Sequence, residues 1–210
     1  MYTPKPFAFP ADRPAAAQDV ISESPFAAMV MTGAEGLDAV HIPFVFDHMR
    51  GEYGTLSAHV ARANPIWRRF DGTSALVIFG GPHAYVSPDW YDSEGLVPTW
   101  NYVAVHAYGV PRIVEDADRV AALLGDLTAA SERTLAPKPP WTLDKVPENQ
   151  RTALMRGIVA FEILIVRIDA KQKLSQNRTP EDVAGVAAAL RTTGGVYDAA
   201  VADLMEKSER

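Results

Sequence analysis

The sequence contains no cysteine, which rules out a disulfide framework and any thiolate metal site and points to a reducing compartment. No stretch reaches the roughly 18 uninterrupted apolar residues that a membrane-spanning helix needs. The opening "MYTPKPFAFPADRP" is too rich in proline, and too short in apolar run, for a signal peptide. A cytoplasmic protein with no membrane partner is expected. A cationic block is also missing, and the formal net charge is -6. Nucleic-acid binders draw most of their affinity from phosphate contacts, so charge gives a DNA partner no support. The five histidines, His41, His48, His59, His83 and His106, are scattered. None stands in a metal-ligating spacing such as H-E-x-x-H, so no metal site is expected. The G-x-S-x-G elbow and the G-x-x-x-x-G-K phosphate loop are both absent.

What is present is a chain of 210 residues with 48% hydrophobic content, enough for a real core in one domain with extensions or in one and a half domains. The spacing predicts a helix over "ADRPAAAQDVISES", with Asp12 as cap and Pro14 in its first turn. "FAAMVMTG" reads as a strand and "AEG" as its turn. "LDAVHIPFVF" alternates, with Val40, Ile42, Phe44 and Phe46 on one face, and Pro43 puts that strand at an edge or a bulge. "ANPIWRRF" opens a short helix, with Asn64 as cap and Pro65 as first residue. "SALVIFGG" is apolar on both faces, as a central strand is, and "PHAYVS" is expected to follow a tight glycine turn. "TWNYVAVHAYGVPRIVE" is one long strand, or two joined by a bend at Gly109.

A helix from about Asp116 to Leu135 carries Val120, Leu123, Leu124 and Leu127 on one stripe. "APKPPWTLDKVPENQ" reads as a proline-rich loop, and "GIVAFEILIVRIDA" as the last strand, running directly into "KQKLSQN". Two helices close the chain. The first, capped at Thr179, buries Val183, Val186, Ala187 and Leu190, and the second buries Tyr197, Ala200, Val201 and Leu204. Six or seven strands joined mostly by short turns argue for a mainly β, antiparallel barrel with added helices rather than a doubly wound sheet.

Two stretches carry candidate chemistry. "KQKLSQN" places Lys171, Lys173, Ser175, Gln176 and Asn177 together, with Leu174 as an anchor to the core. A ligand with an anionic end and an amide-like edge would use all of them. "GEYGTLSAHVARANPIW" places Thr55, Ser57, His59 and Arg62 ahead of a helix start, where free N–H groups favour anions. Tyr85, Trp90, Tyr91, Trp100 and Tyr102 supply aromatic surface for core packing, for a dimer or for a planar ligand.

With "MYTPKPF", "GTLSAHVARANPIW", "ALVIFGGPHAYVSPDWY", "VPTWNYVAVHAYG" and "KLSQN" in this order, the chain resembles the PaiB-type family of FMN-binding negative transcriptional regulators. It departs from that pattern at Ala58, where glycine is usual. The resemblance implies a split β-barrel over residues 1–178, with 179–210 as a helical extension packed on it. It further implies a homodimer with flavin sites at the subunit interface. It implies Ser57, His59 and Arg62, helped by Lys171 or Lys173, near the FMN phosphate, with Ser175, Gln176 and Asn177 at the ring edge or ribityl chain. Ile42, Pro43 and Phe44 would lie along the ring, and Trp100 and Asn101 would close the site from the partner copy.

Three functions stay open on the residues themselves. A regulator would read DNA through "TPEDVAGVAAALRTTGGVYDAAVADLMEK", whose second helix offers Tyr197, Asp198, Asp203 and Glu206. Acidic groups there repel phosphates, and a helical hairpin packed on the barrel is the simpler assignment. An FMN-dependent oxidoreductase, like flavin reductases or pyridoxamine phosphate oxidases, would need an acid or base near the ring; His41, His83 and His106 are the candidates. A sensor of flavin or its redox state would act through a protein partner.

Overall fold

Two sheets and five α-helices build the described residues of this protein. The computed structural model describes residues 1–9 and 15–208, so the expected cap Asp12 and first-turn Pro14 lie outside the described residues. Strands β1 (Phe26–Gly33), β2 (Gly36–Pro43), β5 (Ala75–Val86), β6 (Thr99–Gly109) and β9 (Arg167–Lys173) form one sheet in the order β2-β1-β5-β6-β9. Strands β3 (Val45–Asp47), β4 (Thr55–Ala61), β7 (Pro111–Ile113) and β8 (Ile158–Leu164) form a second, in the order β3-β4-β8-β7. Pairing is antiparallel between β1 and both β2 and β5, and between β4 and both β3 and β8. The helices are α1 (Ala15–Glu23), α2 (Ala117–Arg133), α3 (Glu148–Arg156), α4 (Pro180–Thr193) and α5 (Asp198–Ser208).

The chain divides into two compact units. The first comprises residues 1–23, 80–105 and 169–210, and the second comprises 24–79 and 106–168. The core of the first joins Ala84, Val86, Val103 and Leu174 to Val183, Val186 and Leu190 of α4 and to Val201 and Met205 of α5. In the second, Val114, Val120, Leu123, Leu127 and Ala160 pack α2 against sheet residues, and Phe161 lies 4.6 Å from Phe70, centroid to centroid.

Several local expectations need correction. "LDAVHIPFVF" is two strands. β2 ends at Pro43, which has no N–H to continue a ladder, and is the edge of its sheet, while β3 belongs to the other sheet. Gly80 and Gly81 make no turn, because β5 runs unbroken through them. A Cβ on Gly81 would lie 3.0 Å from Val103 Cβ, so the missing side chain serves close strand approach. The last apolar run divides into β8 and β9 around Ile165, whose N–H donates to Gly54 O at 3.0 Å. "KQK" is therefore still strand. The bend at Gly109 is present, ahead of β7. The proline-rich loop hides α3, which buries none of its residues and so offers no apolar stripe to read. In α5 the buried residues are Val201, Ala202 and Met205, whereas Tyr197 is exposed. The C-terminal pair otherwise forms as expected, and Thr179 Oγ1 accepts the Asp182 N–H at 3.2 Å.

Candidate functional site

In the second unit, β4 alternates strictly. Leu56, Ala58 and Val60 are buried, while Ser57 and His59 face outward and stay half-buried. Each outward group meets a cavity beside α2. Ser57 borders one of about 180 Å³ with Arg50, Arg119, Asp126 and Glu162. His59 borders one of about 320 Å³ with Pro43, Thr128, Ser131, Glu132 and Trp141. Arg62, just past the strand, lines one of about 600 Å³.

His59 Nδ1 is a buried nitrogen with no hydrogen-bond partner among the described residues. Burial pushes the imidazole pKa down, so the ring is held neutral and one nitrogen is left to accept a donor. Beside Ser57, Glu162 takes Arg50 Nη1 and Nη2 at 3.0 and 2.9 Å and Arg119 Nη2 at 2.8 Å. The Arg50 guanidinium, against the opposing effect of burial and with Arg119 behind it, holds this carboxyl below the usual carboxylate range. Two guanidiniums thus share one carboxylate.

The expected site residues of this unit divide into open and committed groups. Pro43 is exposed and Ile42 half-buried on β2. Phe44 is 3% exposed, and its ring lies 5.9 Å from that of Phe79 and 6.3 Å from that of Phe161, so its side chain is part of the core. Arg62 donates from Nε to Arg156 O and from Nη2 to Ile158 O, both at 2.8 Å, leaving Nη1 without a partner among the described residues. His41 is exposed on β2, 6.3 Å from the Phe26 ring.

In the first unit, Asn101 is 0% and Ser175 4% exposed. Asn101 Nδ2 donates to Ser175 Oγ at 3.0 Å and approaches Met205 Sδ at 3.3 Å. Gln176 bonds its own loop, accepting from Leu174 N and donating to Gln172 O, both at 2.8 Å. These three side chains are hydrogen-bonded around the end of β9. Leu174 is the core anchor expected of it, at 1% exposure.

The groups that remain open are cationic and aromatic. Lys173 donates to Thr99 Oγ1, and desolvation lowers its pKa, with Lys171 and Arg178 adding to the effect. Lys171 sits 5.3 Å from the Tyr102 ring and 5.9 Å from that of Phe7. Arg178 stands 5.5 Å from Tyr91. None of the three is in an ion pair among the described residues. Asn177 is exposed beside them. Sequence reasoning passed over Arg178, although it directly follows Asn177.

Trp100, Tyr85 and Tyr197 are 54%, 44% and 43% exposed. His83 gathers them, with ring centroids 6.3 Å from Trp100 and 4.8 Å from Tyr197. The acidic groups of α5 are engaged as well. Asp198 accepts from Gly195 N at 2.8 Å, and Arg191 binds Asp203 and Glu206 at 2.7 and 3.0 Å. The described residues contain no group of three or more His, Asp or Glu placed to hold a metal ion, and no helix long and apolar enough to cross a membrane.

Among the described residues, two antiparallel sheets with five α-helices form a mixed β and α fold of the split-barrel type. The FAD and heme binding protein from Mycobacterium smegmatis shares the fold with a TM-score of 0.57, over 86% of this chain and 80% of that one, at 16% identity. The flavocytochrome Anf3 from Azotobacter vinelandii gives 0.53, over 82% and 69%, at 11% identity. The family follows from sequence. The model of the family described as "Putative FMN-binding domain" matches residues 1–167. Protease synthase and sporulation protein PAI 2 of Bacillus subtilis is 36% identical over 187 residues, 89% of this chain and 88% of that protein. The chain belongs to this FMN-binding family, and the expectation of an FMN-binding split barrel holds.

Proposed function

We propose that this protein is a cytoplasmic, homodimeric FMN-binding protein whose regulatory output runs through a partner protein rather than through direct contact with DNA. The observation that carries the reading is the cluster of Lys171, Lys173 and Arg178, three cations with no ion-pair partner among the described residues in a chain of net charge -6. A phosphate near charge -2 needs several charge-assisted donors, and Asn177 adds an amide beside them. In the second unit, taken by itself, His59 keeps a buried Nδ1 with no partner among the described residues, a polar atom that a ligand would meet. Bound flavin would supply two-electron chemistry; the chain would supply binding and orientation.

The exposed aromatic group of Tyr85, Trp100 and Tyr197, with Val196 93% exposed next to it, supports a second copy as its cover, since aromatic residues are enriched at interface cores. Against direct DNA reading stand the net charge and α5, whose acidic side chains serve as a cap and as partners of Arg191. The unpartnered His59 nitrogen favours one second reading, an FMN-dependent oxidoreductase.

The test is a visible absorption spectrum before and after FMN addition, followed by sedimentation. Saturable flavin uptake by a dimer is expected, and a colourless monomer overturns the reading. A gel shift against random DNA should show no complex that survives moderate salt. Steady NAD(P)H turnover with FMN would favour the enzyme.

A further inference from the structure

A cavity of about 600 Å³ lies wholly within the second unit, and of the residues expected near flavin only Arg62 lines it. Its floor is apolar: Val114, Val120, Val159 and Ala160, all 9% exposed or less. One corner is stitched by main-chain bonds that leave little room for collapse. Arg62 N donates to Gly157 O at 2.8 Å, the Arg62 guanidinium takes the carbonyls of Arg156 and Ile158, and Trp67 Nε1 donates to Arg62 O at 2.9 Å. The indole is thereby fixed, with Arg62 at 5.8 Å and Arg68 at 6.0 Å from its ring. At the rim stand Thr152, Glu115 and the exposed Arg156, whose side chain is in no ion pair among the described residues.

We propose that this groove is a second ligand site, for an apolar or aromatic molecule carrying one carboxylate. Its volume is that of an ordinary small-molecule pocket, and an apolar floor with a few polar groups at the mouth is the usual construction. Arg156 supplies a fork matched to a single carboxylate, while the Glu115 carboxyl at the same rim works against a dianion. FMN fits poorly here: its ring edge needs several hydrogen-bond partners that four buried aliphatic residues do not offer, and leaving such groups unpaired is costly. The inference does not depend on the flavin reading.

The test uses the full chain, with and without saturating FMN, titrated calorimetrically with naphthalene-2-carboxylate and with decanoate. Saturable binding of at least one probe, at one per protomer and unchanged by FMN, is expected. Ala117→Trp, at an exposed rim position of α2, should block the groove. Arg156→Glu should weaken binding at least tenfold, the scale of one charge-assisted contact. Both variants should keep the wild-type circular dichroism and FMN affinity. Absence of binding by both probes, or wild-type affinity in both variants, overturns the site. Competition between probe and FMN assigns the groove to flavin and overturns it equally. Failure of FMN to bind while the probes still do would sink the proposed function and leave this site standing.

Discussion

Asn101→Ala probes how firmly the end of β9 is built. Asn101 is fully buried, and its amide is the partner of Ser175 Oγ at 3.0 Å, itself 4% exposed. Truncation strands that hydroxyl, at about 1–3 kcal/mol. It also empties the space of the amide, adding about 1 kcal/mol. The expected loss is therefore about 3 kcal/mol. Ser175→Ala should cost about 1–2 kcal/mol, because the amide keeps only the Met205 sulfur. Ser175→Gly should cost less than Ser175→Ala, since Ser175 sits at φ 65, where glycine escapes a penalty of about 1–2 kcal/mol. In the double variant Asn101→Ala/Ser175→Ala nothing is left to strand, so the two effects should fall short of additivity by about 1 kcal/mol. Urea denaturation with a shared m-value measures all four. Strict additivity, or a loss below about 0.5 kcal/mol for Asn101→Ala, would refute the reasoning.

Other expectations are more local. Glu162→Gln should cost about 1 kcal/mol near neutral pH, since both arginines are half-exposed and screened. The folded pKa of Glu162 lies below 4.5, so that stability is present above about pH 4.5 and lost as pH falls through the folded value. The gap between wild type and variant should close in acid; a gap that widens there contradicts the network. His59 has a folded pKa below 6.5, so its neutral form supports the fold above that value. His59→Gln should flatten the decline in stability as pH falls below about 6.5, and an unchanged pH profile would show the ring to be solvated. Gly185→Ala places a methyl against Trp90 O. Despite better helix propensity it should destabilise by about 1–2 kcal/mol; a more stable variant would mean that α4 shifts freely.

Elements with strong local signals were legible. The stripe of Val120, Leu123 and Leu127 announced α2, Asn64–Pro65 announced a helical turn, and the family motifs announced the flavin barrel. Boundaries were not, because an apolar run such as 158–170 carries no mark of the residue where it changes sheets, and α3 has no buried face to leave a period. The site was half legible. Donor-rich stretches were visible as composition, yet composition cannot distinguish a donor aimed at ligand from one spent on its own backbone. Gln176 and most of the Arg62 guanidinium proved to bond main-chain groups, and Asn101 the side chains of Ser175 and Met205. Arg178 escaped notice because lone arginines in loops are common, and only its placement beside two lysines distinguishes it.

Flavin titration tests the central claim most directly. FMN added to the purified full-length chain should lose its fluorescence saturably, at one equivalent per protomer, and Lys171→Ala/Arg178→Ala should weaken that uptake at least tenfold. Flavin fluorescence that stays linear with added FMN, or a double variant that binds as well as wild type, would contradict it.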